Sequence, residues 1–146
     1  MKIVVAITAA SGGIYARLTL ERLLRSSEVS QIALVCSAHA REVLAHEDVV
    51  LPEDGRIRLF GNDDLFAPPA SGAARYDAMV VVPSTVGTVG RVTCSSGGNC
   101  WHSDTARRVS ALCWTGDIVR FPFQHRGPCG ARASGLGMGE LQISGV

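Results

Sequence analysis

The feature that most constrains the fold is the first passage from strand to helix. Ile3-Val4-Val5-Ala6-Ile7 is an apolar, largely β-branched run, and TAASGGIYARLTLERL (residues 8–23) follows it directly. A run apolar at every position reads as a strand buried on both faces, as parallel strands are. Ala16, Leu20, Leu23 and Leu24 then recur at helical spacing and form one apolar face. The unit repeats: Ile32-Ala33-Leu34-Val35-Cys36, then Ser37, then a helix-like segment from Ala38 to Glu47. Pro52 to Gly55 reads as a turn, Arg56 to Phe60 as a short strand, and Asn62 to Asp77 as a loop rich in Pro, Gly and Asp. Ala78-Met79-Val80-Val81-Val82 is a further strand, ending at Pro83-Ser84-Thr85. Repeated strand, turn and helix predict an α/β fold with a parallel sheet and right-handed crossovers.

Beyond Arg91 this grammar stops. Val109 to Trp114 and Asp117 to Phe123 have the character of short strands, and no other helix or strand is predicted there. The tail also differs in composition: four of the five cysteines and both tryptophans lie past residue 93.

Composition narrows the class. Hydrophobic residues make up 47% and charged residues 18% of the 146, which excludes disorder as the default state. Net charge is +1 and no basic run exists, so nothing predicts a nucleic-acid partner. No apolar stretch approaches the roughly 20 residues of a membrane span, and the N-terminus opens a strand rather than a signal peptide. A cytoplasmic protein is expected. Its cysteines (Cys36, Cys94, Cys100, Cys113, Cys129) form no close CxxC pair. Unpaired thiols are therefore favoured over a metal site built from Cys94, Cys100 and His102, and no metal is expected.

Three strand ends carry hydroxyls: Ser11, Ser37, and Ser84-Thr85 with Thr88. In a parallel sheet the carboxyl ends share one edge, where ligands bind. Each hydroxyl alone serves as well to cap the helix after it. Three converging beside helix N-termini, with free N–H groups and the positive dipole end, suit a phosphate. Gly12-Gly13 lets the backbone approach a ligand closely. GxGxxG is missing, so a phosphorylated mononucleotide is expected rather than a dinucleotide.

AASGGIYARLTLERL, LVCSAHAREVLAHE, NDDLFAPPASG and YDAMVVVPSTVGTVGRV, in this order, resemble the UbiX-like flavin prenyltransferases over residues 1–93. Ala9 stands where that family has Gly, and Ser84 where it has Cys. The resemblance implies a single FMN-binding domain over 1–93, a doubly wound parallel sheet of Rossmann-like type assembled as a homo-oligomer; residues 94–146 are a divergent tail. It implies transfer of a dimethylallyl group from dimethylallyl phosphate to reduced FMN, the prenylated product serving a UbiD-type decarboxylase, often in ubiquinone biosynthesis. By position, Ala9, Ala10 and Ser11 would wrap the flavin, with the Ser11 hydroxyl near its reactive nitrogen. Ser37 and Thr85-Val86-Gly87-Thr88 would bind the rest of FMN. Glu47 would act in acid–base work near the prenyl phosphate, although position alone makes it a solvated helix-end carboxylate. Ser71-Gly72 of the PPASG loop would line the prenyl pocket.

The resemblance breaks where the family continues with Asn-Leu-Leu-x-Arg-Ala-Ala-Asp-Val. Asn99-Cys100-Trp101-His102 is encoded AAY TGY TGG CAY, and one pyrimidine restored after the first codon yields Asn-Leu-Leu-Ala. A frameshift and a natural paralogue with its own tail both account for this. Arg120 falls near the family's phosphate-binding arginine by counting, but its Phe121-Pro122-Phe123 context does not match. The cationic groups with which the family grips the prenyl phosphate are not matched, so the chain as written is expected to hold FMN weakly at best and to make no prenylated FMN at a useful rate. Two alternatives stand beside the transferase: an FMN-dependent decarboxylase of peptidyl-cysteine type, and a non-catalytic flavin-binding subunit of an aromatic-acid decarboxylase.

Overall fold

The computed structural model describes residues 1–85, 87–88, 111–114, 118–121 and 134–136. Its elements are β1 (Lys2–Ile7), α1 (Gly13–Arg25), β2 (Gln31–Cys36), α2 (Ala40–His46) and β3 (Ile57–Phe60), then two 3-10 turns (Pro68–Ala70 and Gly72–Ala74). Four strands follow: β4 (Ala78–Val81), β5 (Ala111–Trp114), β6 (Ile118–Phe121) and β7 (Ser134–Leu136).

The strands form one sheet in the order β3-β2-β1-β4-β5-β6-β7. β3 through β5 are parallel, and the chain order reverses direction between β1 and β4, as a doubly wound sheet requires. The short strands expected in the tail are β5 and β6. The last two strands depart from the parallel expectation: β6 and β7 are antiparallel to their neighbours. Trp114 and Ile118 are too close in sequence for the crossover of a dozen or more residues that a parallel return needs.

The unbroken apolar runs are explained by burial on both faces of the sheet. Ile3, Val5 and Ile7 of β1 pack with Ala16, Leu20 and Leu23 of α1 and with Ala40 and Leu44 of α2. Val4 and Ala6 point to the opposite face and pack with Ala33, Val35, Met79, Val81 and Tyr76. That second face is covered by the segment before β4, through Tyr76 and the flanking Ala70 and Ala74. Each large apolar side chain removed from water there contributes about 1.5–3 kcal/mol.

Two polar contacts fix the register that carries the site. The Lys2 N–H donates to Asp77 Oδ2 at 2.6 Å, and the Asp77 N–H donates to the Lys2 carbonyl at 2.8 Å. They pin β1 to the start of β4 and so decide which residues meet at the other end. At the far end of α1, the Arg56 guanidinium donates to the carbonyls of Leu24 (2.6 Å), Ser26 (3.2 Å) and Val29 (3.3 Å). A cation there suits both the orphan carbonyls and the helix dipole. Among the described residues no helix is long and apolar enough to cross a membrane.

Candidate functional site

Register places the site. Ala6 pairs with Val35 on one side and with Val81 on the other, so β2, β1 and β4 end together. The Ser37 N–H continues the ladder to the Ile7 carbonyl (2.9 Å), and the Val82 N–H donates to the Ala6 carbonyl (2.9 Å). Thr8, Ser37 and Pro83-Ser84 therefore lie along one carboxyl edge, at the point where strand order reverses. That is where open α/β sheets bind ligands.

The hydroxyls at this edge fall into two groups. Thr8 Oγ1 donates to the Pro83 carbonyl at 2.8 Å in a buried setting, tying β1 to the segment after β4. Thr85 Oγ1 accepts the Thr88 N–H at 3.1 Å and lies 3.1 Å from Thr88 Oγ1, the pattern of a helix cap. For Thr85 the capping reading holds, alongside any contact to a ligand. Val86, also expected in this turn, lies outside the described residues.

Ser37 Oγ and Ser84 Oγ are different. Both are shut off from solvent, and neither finds a hydrogen-bond partner among the described residues. Ser84 is 5% exposed. A buried hydroxyl left without a partner costs about 1–3 kcal/mol, and an acceptor on a bound ligand removes that cost. Their strands flank β1, so the two lie roughly 10 Å apart at two strand spacings. Ser84 was legible as one of the strand-end hydroxyls; only its burial without a partner marks it as ligand-directed.

The turn after β1 holds Ala9, Ala10 and Ser11, with Ala9 and Ser11 exposed to solvent. Beyond them the expectation changes. Gly12 has φ 102°, a left-handed conformation that favours glycine. The Gly12 N–H donates to Glu47 Oε1 at 2.9 Å and the Gly13 N–H to Glu47 Oε2 at 2.6 Å. A Cβ on Gly13 would sit 2.6 Å from Leu44 Cδ2 and 2.9 Å from Glu47 Oε2. The glycine pair therefore admits the end of α2, where the sequence suggested room for a ligand. Glu47 is accordingly no solvated helix-end carboxylate: it is half-buried on the α1 N-terminus.

Other expected residues are placed as follows. Ser71 Oγ accepts the Ala73 N–H at 3.3 Å, between Ala70 and Ala74, which pack on the sheet face opposite the helices. Arg120 lies in β6, opposite Leu112 of β5. Cys94, Cys100, His102 and the Asn99 break lie outside the described residues. Burial raises the pKa of the Cys36 thiol, next to Ser37, above its ordinary range, against the opposing pull of Arg41.

The donor set suits FMN, whose phosphate, ribityl hydroxyls and ring carbonyls supply acceptors for Ser37 and Ser84. Comparison with known proteins agrees with that chemistry. A family model described as Flavoprotein matches residues 1–100. The flavin prenyltransferase UbiX of Methanocaldococcus jannaschii is 40% identical over 95 residues, covering 63% of this chain and 50% of that one. Its namesake from Pseudomonas aeruginosa is 34% identical over 115 residues, covering 67% and 54%. The chain thus spans about half the length of these curated relatives. Among solved structures, a UbiX protein (PadA1) in complex with FMN and dimethylallyl pyrophosphate superposes with a TM-score of 0.61 at 27% identity, covering 73% of this chain and 58% of that one.

Proposed function

Since the chain belongs to the Flavoprotein family, we propose that it binds FMN and acts as a flavin prenyltransferase, moving a dimethylallyl group from dimethylallyl phosphate to reduced FMN. The observation that carries the cofactor is the pair of buried, unpartnered hydroxyls, Ser37 and Ser84, on either side of β1. The transfer itself rests on relatives named flavin prenyltransferases at 34–40% identity.

In this reading Ser37 and the Thr85–Thr88 turn, with Gly87 and Val86, hold the phosphate and ribityl end. Ala9 and Ala10 leave room for the flat ring, and the exposed Ser11 hydroxyl holds a proton beside the reactive nitrogen. Reduced FMN, when bound, supplies the electron-rich ring atoms that receive the prenyl group. The chain's own part is to bind, orient and keep water from that edge. Glu47 is the carboxylate behind Ser11, and Ser71-Gly72 belong to the prenyl side. Residues 1–93 form the flavin-binding domain and 94–146 the divergent tail. The protein works in the cytoplasm without a metal, and its product passes to a UbiD-type decarboxylase. A homo-oligomer is the natural assembly, supported by exposed Ile14, Leu18, Leu65 and Phe66.

The test is an anaerobic incubation of protein, in excess over reduced FMN, with dimethylallyl phosphate, read by flavin mass. The expected result is a flavin heavier by one prenyl group, formed slowly and without useful turnover because the family's phosphate-gripping cations are not matched. Flavin that stays bound but unmodified would overturn the transferase and leave a non-catalytic flavin-binding subunit.

A further inference from the structure

Glu47 meets the α1 N-terminus with both carboxylate oxygens, one on the Gly12 N–H and one on the Gly13 N–H. These are the donors that a strand–turn–helix of this kind offers to a phosphate elsewhere. No cation among the described residues pairs with Glu47, so the helix end itself is what compensates its charge. Gly13 allows the approach and Leu44 closes it, because any side chain at position 13 would strike both.

We propose that Glu47 is the resident anion of the α1 N-terminus: it fills the site that a ligand phosphate would take, shuts phosphate out of this turn, and holds the Ala9–Ser11 segment in shape for an uncharged part of the ligand. Glu47 is thereby a positioning and specificity residue that works through the Gly12 and Gly13 amides. A second anion brought against the same two donors would find them occupied and would face like-charge repulsion from the carboxylate. The phosphate of FMN must then lie at the Ser37 and Thr85–Thr88 end, and the ring at the Ser11 end. This placement rests on the FMN reading; the filling of the amides by Glu47 does not.

The first arm of the test therefore needs no flavin. Thermal unfolding of the wild-type chain and Glu47→Ala is followed in formate, in inorganic phosphate, and in chloride at matched ionic strength. Glu47→Ala should melt below wild type, and formate or phosphate, but not chloride, should restore part of the loss in a saturable way. Wild type should not respond to formate beyond its response to chloride, and inorganic phosphate, which the Ser37 and Thr85–Thr88 end of either protein can take up, should stabilise Glu47→Ala more than wild type. The second arm compares FMN with riboflavin, which lacks the phosphate, by quenching of flavin fluorescence. Glu47→Ala and Glu47→Gln should weaken riboflavin about tenfold, or about 1.4 kcal/mol, by loosening the Ala9–Ser11 turn, and FMN by no more than that, since the carboxylate no longer repels phosphate. Formate should rescue only the Ala variant, since Gln still fills the space; Glu47→Gln carries the test if Glu47→Ala does not fold. A melting temperature indifferent to Glu47→Ala, a wild-type formate response matching the variant's, or FMN affinity falling relative to riboflavin in either variant would overturn the proposal. Failure of both flavins to bind wild type would instead sink the FMN reading, leaving the melting arm to decide the role of Glu47.

Discussion

Thr8 and Ser84 stand at the same sheet edge, and both are buried, yet among the described residues only the Thr8 hydroxyl has a partner. Thr8 Oγ1 closes onto the Pro83 carbonyl, whereas the hydroxyl of the next residue, Ser84, meets no partner among the described residues. This contrast yields opposite predictions for two similar truncations. Ser84→Ala should stabilise the flavin-free protein by about 1 kcal/mol, because it removes a buried group without a bond, and should weaken FMN binding severalfold. Thr8→Val should destabilise by about 1–2 kcal/mol, since it leaves a buried carbonyl without its donor. Urea unfolding with and without FMN checks both. The residue types and positions were legible in the sequence: every hydroxyl that was expected at the edge, and lies within the described residues, belongs to this end of the sheet. Which of them were already satisfied was not legible. That depends on register across strands some 75 residues apart. The same holds for Gly12-Gly13, whose neighbour is Glu47, 34 and 35 residues on.

At the scale of elements, α1 is held at both ends by charges from elsewhere in the chain, Glu47 at its start and Arg56 at its finish. Arg56→Ala removes donors from three carbonyls at and beyond the C-terminus of α1 and should cost about 2 kcal/mol in chemical unfolding. Arg56 is itself held by Asp54, whose carboxylate accepts its side-chain and backbone N–H groups. These bonds hold the Asp54 carboxyl below its ordinary value of 3.8. The folded state thus binds that proton less readily than the unfolded chain does. The resulting stability is complete above the ordinary value and is lost as pH falls below it, through the lowered folded value. Acid unfolding of Asp54→Asn should show a correspondingly weaker dependence in that acidic window than wild type. α1 and β1 were readable because long apolar periodicity is a strong signal. β5 and β6 were visible as short apolar stretches, whereas β7 (Ser134–Leu136) was not: Ser-Gly-Leu carries no alternation to read.

For the whole molecule, strand order decides function more than any single element does. β1 sits between β2 and β4, and the polar groups after all three open onto one edge. Repeated strand–turn–helix units were enough to anticipate this, because parallel strands joined by crossovers put their carboxyl ends together. Two global features were beyond such reading. One is that a loop with two 3-10 turns, anchored by Tyr76, covers the second face; its fit depends on shape rather than on periodicity. The other is the antiparallel turn-back of β6 and β7. The central claim is that the edge at β1 and β4 is an FMN site in which Ser37 and Ser84 contact the ligand. It is tested most directly by titrating a fixed amount of FMN with wild type, Ser37→Ala and Ser84→Ala, following flavin fluorescence, with NAD in a parallel titration. The account predicts saturable quenching by wild type, severalfold weaker binding in each variant, and no specific binding of NAD. Affinity unchanged in both variants, or tight NAD binding with no FMN response, would contradict it.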